Sequence, residues 1–193
     1  MAAMPDTQAP DAPTIGVAAP DASATDRYPA DQAATREAQA MLFFAYRDFT
    51  NAADMVLEEL GLGRAHHRAL HFIGRHPGIT VSDLLVILRI TKQALARVLN
   101  TLVDDGYVAQ APGEVDRRQR LLRLTPKGAD LEQRLFDRQR DRLAPALATA
   151  GPAASAGFRA VMRAIMDASA RDYLDAAYPA RATPRAKGGG DDG

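Results

Sequence analysis

The chain has 193 residues, 47% hydrophobic and 25% charged, a composition typical of one globular domain with a sizeable core. It contains no cysteine, which excludes disulfides, iron–sulfur clusters, thiolate zinc sites and thiol-based redox sensing. No apolar run approaches the roughly 18 residues of a membrane span, and no charged-then-apolar leader opens the chain. We therefore expect a cytoplasmic protein with no membrane partner.

Charge is unevenly distributed along the chain, although the formal net charge is zero. Between Leu62 and Gly128 there are eleven Lys or Arg residues against five Asp or Glu, a net of +6, and all four histidines lie in this stretch. From Met1 to Asp31 there is one Arg against five Asp, a net of −4. A basic middle segment of this kind indicates binding to nucleic acid.

The first 34 residues are rich in Ala, Pro, Asp and Thr and have almost no large apolar side chains. Such a segment buries too little surface to offset the entropy of ordering it, so residues 1–34 are predicted to be a disordered acidic tail. An alternative role for its aspartates is to compete with DNA for the basic middle segment.

Two helices are predicted next, over 36–60 and 64–75. Apolar residues from Met41 to Leu60 follow helical spacing, and Gly61 and Gly63 end the first helix. The second helix closes at His76-Pro77, because a proline disfavours helical backbone in the residue before it.

A helix-turn-helix is predicted between Thr80 and Asp105. Thr80 can cap a short helix that ends near Leu88, and Arg89-Ile90-Thr91 forms the tight turn. Thr91 then caps a second helix, whose apolar stripe faces a core and includes Leu95, Val98, Leu99, Leu102 and Val103.

The other face of this second helix is small or polar and can donate hydrogen bonds to bases and phosphates. Glutamine can pair with adenine and arginine with guanine through two hydrogen bonds each. The residues predicted to contact DNA here are Thr91, Lys92, Gln93, Arg97 and Asn100.

A two-stranded hairpin with a basic tip is predicted after this helix. Gly106 allows the chain to turn sharply, residues 107–110 and 120–125 alternate like strands, and Pro112-Gly113 begins the loop between them. Arg117 and Arg120 in this hairpin suit phosphate contacts or keep the strand edge soluble.

The rest of the chain is predicted to form two long helices and a second disordered tail. Thr125 caps a helix with Pro126 at its first position, and Gly151-Pro152 breaks it near Ala150. The last helix runs from Ala153 to about Ala177, and residues 179–193 form the tail. These helices have more apolar surface than a small domain can cover, which indicates a partner chain.

The order of helix, turn, helix, glycine, strand, Asp-x-Arg wing and Leu-Thr-x-x-Gly resembles the MarR family of bacterial winged helix-turn-helix transcription factors. The motif residues are Asp116, Arg118, Leu124, Thr125 and Gly128. The resemblance extends over roughly 36–178, and the wing is its most specific part.

The resemblance implies a mainly α fold with a small β wing. The winged helix-turn-helix lies at about 62–128 within a domain at 35–178, and helices at about 36–60 and 126–177 build a homodimer. Arg118 would enter the minor groove, and Asp116 would orient that arginine or hold the wing. The implied function is sequence-specific binding of double-stranded DNA at a pseudo-palindromic operator. We expect a repressor modulated by a small molecule, because a dimer bound over a promoter would block polymerase, although some relatives activate transcription.

Members of this family often bind small anionic or phenolic ligands in a cleft between the dimerisation and DNA-binding regions. Tyr46, Arg47, His67 and His71 are candidate lining residues. His67 and His71 also have the i, i+4 spacing of a metal pair, but no HExxH pattern accompanies them, and the same spacing suits ordinary helix-surface or core histidines.

An enzyme is not expected, because the sequence has no phosphate-binding glycine loop, no GxSxG and no cysteine nucleophile. No cofactor or metal is expected either. Two alternatives stay open: a winged helix that binds a protein partner instead of DNA, and a histidine-based metalloenzyme.

Overall fold

The computed structural model describes residues 29–113 and 116–178, so the predicted tail at 179–193 and most of the tail at 1–34 lie outside the described residues. Within these residues the chain forms six helices and three strands. They are α1 (Ala30–Glu58), α2 (Arg64–Arg75), β1 (Ile79–Thr80), α3 (Val81–Leu88), α4 (Lys92–Asp104), β2 (Val108–Pro112), β3 (Arg120–Leu124), α5 (Pro126–Ile165) and α6 (Ala168–Ala177). The predicted mainly helical fold with a small β wing is confirmed.

Helix α1 begins at Ala30, before the predicted start at Arg36, and ends at Glu58, shortly before the predicted Leu60. Its residues belong to two compact units, which divide after Ala45. In the first unit four consecutive large apolar residues, Met41 to Phe44, are exposed. In the second unit Ala53, Val56 and Leu57 are buried in the core.

Both caps of the predicted helix-turn-helix are present. The Thr80 hydroxyl accepts a hydrogen bond from the backbone N–H of Asp83 at 3.1 Å, and the Thr91 hydroxyl accepts one from Ala94 at 3.2 Å. Each threonine satisfies an N–H that the first turn of its helix leaves without a partner. The predicted starts of α3 and α4 are therefore confirmed.

The sheet has three antiparallel strands in the order β1-β3-β2, whereas the sequence predicted only two. Ile79 lies opposite Leu122 and Thr80 opposite Leu121. A two-residue strand is too short to show an alternating pattern, and Thr80 also serves as the cap of α3, so the sequence gives no separate signal for it. The added strand joins the start of α3 to the wing.

One hydrophobic core holds the helix-turn-helix, the sheet and the start of α5 together. Its largest fully buried side chains come from six elements of the second unit. They are Leu57, Leu70, Ile73, Leu84, Leu88, Leu95, Leu102, Leu122 and Leu135. Burial of each such side chain contributes roughly 1.5 to 3 kcal/mol relative to leaving it exposed.

The C-terminal helices differ from the prediction in where the chain breaks. Gly151 has the predicted non-helical backbone, with φ 80°, and forms a kink inside α5. The predicted uninterrupted last helix over 153–177 is wrong, because Met166 is extended and Asp167 caps a separate helix, α6. The apolar spacing continues across Met166, which concealed this second break.

Candidate nucleic-acid interface

Helix α4 has one face buried in the core and one face exposed. Leu95, Val98, Leu99 and Leu102 are buried, as their spacing predicted. The side chains predicted to meet DNA lie on the opposite, exposed face: Thr91, Lys92, Gln93, Arg97 and Asn100. Among these, Thr91 has a structural role as well, because its hydroxyl caps α4.

The polar side chains of this exposed face are available to a ligand. Within the described part of the chain, no hydrogen bond or ion pair holds the side chains of Lys92, Gln93 or Arg97. Side chains of these types can reach phosphates and base edges in the major groove of DNA. The face therefore has the chemistry of a recognition helix.

Lys127 stabilises the far end of α4. Its ammonium donates a hydrogen bond to the carbonyl oxygen of Asp105 at 2.7 Å and lies 4.3 Å from the centre of the Tyr107 ring. A cation is favourable here because the carbonyl groups at a helix C-terminus carry partial negative charge. Gly106, which lies between Asp105 and Tyr107, has φ 73°. Glycine adopts this positive φ readily, so the chain can make the predicted turn into β2.

The wing consists of β2 and β3, paired from Val108 with Leu124 to Pro112 with Arg120. Asp116 Oδ1 accepts a hydrogen bond from the backbone N–H of Arg118 at 2.9 Å, and the carbonyl of Asp116 accepts one from Gln119 at 3.0 Å. Of the two roles considered for Asp116, these contacts favour holding the wing's backbone.

Three arginines at the tip of the wing point to solvent rather than into the fold. Arg117, Arg118 and Arg120 are all exposed, and no side-chain partner holds them in the described part of the chain. Because Asp116 fixes the backbone at Arg118, the arginine side chain extends from a defined turn. A guanidinium presented in this way suits a phosphate or a narrow minor groove.

Sequence reasoning missed two residues that hold the turn between α3 and α4: Arg68 on α2 and Arg89 in the turn itself. Arg68 donates a hydrogen bond to the carbonyl of Leu88 at 2.9 Å, which satisfies the end of α3. Arg89, in the turn itself, pairs with Asp167 at 2.6 Å. The available signal was an arginine at a helix end, where glycine is the usual residue.

Three of the four predicted ligand-lining residues surround one cavity of about 340 Å³. Tyr46, His67 and His71 line it, whereas Arg47 is not among its lining residues. Arg47 instead lies 2.8 Å from Asp48, and its hydrogen bond lowers the pKa of that carboxyl group. The structure therefore brings together the aromatic and histidine members of the predicted set.

The histidines of α2 have distinct surroundings. Burial lowers the pKa of His67, and the neighbouring His71 lowers it further. His71 Nδ1 lies 3.3 Å from a carboxylate oxygen of Glu132. Across residues 29–113 and 116–178, no three His, Asp or Glu side chains are grouped to hold a metal ion, so His67 and His71 lack a third ligand there.

A helix-turn-helix with an exposed polar second helix, followed by an arginine-bearing hairpin, defines a winged helix-turn-helix DNA-binding protein. Comparison of the chain with known proteins supports this class. A family model described as "MarR family" matches residues 60–119. The HTH-type transcriptional regulator PetP of Rhodobacter capsulatus is 52% identical over 132 residues, which is 68% of this chain and 80% of PetP. The chain belongs to the MarR family.

Two solved structures show the same fold. A SlyA-like transcription regulator from Listeria monocytogenes has a TM-score of 0.58 and 20% identity, over 74% of this chain and 95% of its own. A mutant MarR from Escherichia coli, crystallised in complex with operator DNA, has a TM-score of 0.54 and 22% identity, over 67% and 93%. The resemblance predicted from the wing motif is confirmed.

Family membership makes this chain a DNA-binding transcriptional regulator and not an enzyme. Among the described residues, no helix is both long enough and apolar enough to cross a bilayer.

Proposed function

We propose that the protein is a homodimeric repressor that binds a pseudo-palindromic operator and is modulated by a small-molecule ligand. The observation that carries the DNA-binding part is the free polar face of α4, where Lys92, Gln93 and Arg97 are exposed beside a core that fixes the opposite face. Non-specific affinity would come from cations against phosphates, and specificity from Gln93 and Arg97 at base edges.

Exposed apolar residues on α5 support self-association. Phe158, Val161 and Ile165 follow i, i+3, i+7 spacing and are 48%, 62% and 60% exposed. A stripe of this kind is unfavourable in water, and a second copy of the chain would cover it. A two-fold dimer places its recognition helices in successive major grooves about 34 Å apart.

Capture of genomic DNA fragments by the purified protein, followed by footprinting at two salt concentrations, tests the operator. We expect an inverted repeat with half-sites one helical turn apart, protected at both salt concentrations. Binding that disappears into a salt-sensitive background without a preferred site would contradict sequence-specific regulation and favour the protein-interaction alternative.

Repression is proposed because a dimer bound over a promoter obstructs polymerase. In vitro transcription from the captured promoter should then yield less transcript as protein is added. A rise in transcript would show that the protein is an activator.

Modulation by a ligand is supported by the cavity at Tyr46, His67 and His71, whose walls also include Phe49 and Phe72. Aromatic walls with hydrogen-bonding imidazoles suit a small aromatic anion. Benzoate, used as a probe, should weaken operator binding, since a ligand that favours one arrangement of the protein shifts DNA affinity by linkage. The Tyr46→Ala variant should lose this response while retaining operator binding. No effect of benzoate on the wild type would count against this ligand class.

A further inference from the structure

Arg89 holds an unusual backbone conformation in the turn between α3 and α4. Its φ is 50° and its ψ is 46°, and among the described residues it is the one non-glycine with positive φ. The left-handed region is unfavourable for a residue with a Cβ, and glycine usually occupies this position after a helix. A strained backbone conformation is maintained only where the surrounding structure holds the residue in place. The contacts of the Arg89 side chain show what holds this turn.

The start of α6 holds the Arg89 side chain. Its Nη1 lies 2.6 Å from Asp167 Oδ2, and its Nη2 donates a hydrogen bond to Ser169 Oγ at 3.2 Å. Ser169 in turn donates to Asp167 Oδ1 at 2.7 Å. The guanidinium therefore contacts both the Asp167 carboxylate and the Ser169 hydroxyl, which are hydrogen-bonded to each other.

Asp167 is itself fixed in place because it is the N-cap of α6. Its Oδ1 accepts a hydrogen bond from the backbone N–H of Ala170 at 2.9 Å. This bond, with the one from Ser169, lowers the pKa of Asp167. The carboxylate thus connects the start of α6 to the helix-turn-helix turn.

A second set of contacts holds α6 against α2. The hydroxyl of Tyr173 lies 2.8 Å from His76 Nε2, and its ring packs edge-to-face on Phe72 at 5.5 Å between centres. None of the residues of α6 is fully buried. The helix is therefore held against α2 and the turn before α4 by these polar and aromatic contacts at its start and near its middle.

We propose that Asp167 is a positioning residue for DNA reading: through Arg89 it fixes the left-handed turn that sets where recognition helix α4 begins. Lys92, the first residue of α4, follows Arg89 by three positions. Displacement of the turn would therefore shift Lys92 and Gln93 relative to the bases. The proposal rests on DNA reading by α4, as described above, and adds the C-terminal helix as a part of the reading apparatus.

Two variants test whether Asp167 and Arg89 position α4 or only stabilise the fold. Asp167→Asn keeps a good helix cap but removes the charge that holds Arg89. Arg89→Gly removes the side chain while relieving the backbone strain, so a purely structural turn would keep or gain thermal stability. Asp172→Asn, which neutralises an exposed carboxylate on the same helix, is the matched control.

Operator affinity of these variants is measured by fluorescence anisotropy, with the wild type on the same captured DNA. Because an exposed ion pair contributes only modestly, we expect each of Asp167→Asn and Arg89→Gly to weaken binding by about two- to fivefold. The double variant should lose no more than either single variant, the salt dependence should be unchanged, and Asp172→Asn should bind like the wild type.

Several results would overturn the proposal. If Asp167→Asn tightened binding and steepened the salt dependence, Arg89 would be a phosphate-binding group that Asp167 restrains. Wild-type affinity in both variants, or losses that simply add, would show that the pair does not position α4. Absence of a preferred site for the wild type would instead count against operator binding itself, so the two failures are distinguishable.

Discussion

The first turn of α5 lies so close to Tyr107 that a Cβ atom added to Gly128 would be 2.0 Å from the carbonyl oxygen of that tyrosine. The same carbonyl accepts a hydrogen bond from the backbone N–H of Thr125 at 3.0 Å. The Thr125 hydroxyl donates to the Gly106 carbonyl at 2.7 Å and accepts from the N–H of Gly128 at 3.1 Å. The Leu-Thr-x-x-Gly motif thus joins the end of the wing to the end of the recognition helix.

Gly128→Ala should therefore destabilise the fold by about 1 to 3 kcal/mol, because the clash is with backbone that cannot move aside easily. Chemical denaturation measures the change in the free energy of unfolding. Gly157→Ala is the matched control, since no atom lies within 4 Å of a Cβ there. Inside a helix it should be neutral or stabilising by up to about 1 kcal/mol. Equal effects of the two substitutions would show that the close contact does not constrain the fold.

Arg97 is predicted to read a base through two parallel hydrogen bonds. Arg97→Ala should reduce discrimination at one operator base pair by about 1 to 3 kcal/mol, measured by competition between operator variants. Arg97→Lys keeps the charge but not the two-bond geometry, so it should lose the same discrimination while retaining more of the overall affinity. If Arg97→Lys discriminated like the wild type, Arg97 would be a phosphate contact only.

The free energy of unfolding should fall as the pH drops below about 6.5. The pKa of His67 is lower in the folded chain than the value of about 6.5 expected when unfolded, mainly because burial disfavours the charged ring. The unfolded chain therefore binds more protons between these two pKa values, and stability present above pH 6.5 is lost as the pH falls through the folded pKa. His67→Gln should show a shallower decline than the wild type, with parallel curves above pH 7.5. Parallel curves at all pH values would contradict this cause.

Self-association should depend on the exposed stripe of α5. Val161→Asp places a charge on this stripe and should shift the protein from dimer to monomer in sedimentation velocity, because a buried unpaired carboxylate is unfavourable at an interface. Val86→Asp, on an exposed apolar residue of α3, should leave the dimer intact. A monomeric wild type, or a Val161→Asp dimer, would contradict the proposed interface.

Local chemistry explains why the helix-turn-helix was predictable. Thr80, Thr91 and Thr125 each combine a capping side chain with a following apolar stripe, and these two signals agree about where a helix starts. Gly106 marks the turn into the wing because few other residues adopt its positive φ. These features depend only on neighbouring residues, so one sequence suffices to find them.

Long-range features escaped prediction. The pairing of Ile79 with Leu122 and of Arg89 with Asp167 joins residues far apart in sequence, and neither leaves a periodic trace. The break at Met166 was missed because apolar spacing continues through it, although Asp167 is a good capping residue. The candidate DNA-contacting residues were predictable as an exposed polar face, but which bases they meet depends on DNA geometry outside the chain.

The salt dependence of operator binding by Arg118→Ala tests the DNA-binding account most directly. Arg118 is exposed at the wing, and its backbone N–H is held by Asp116. Removing one cation from the interface should weaken binding and reduce the slope of log affinity against log salt by about one. Arg159→Ala, an exposed arginine on α5 outside the winged helix, should leave both unchanged. An Arg118→Ala variant with wild-type affinity and slope would contradict the account.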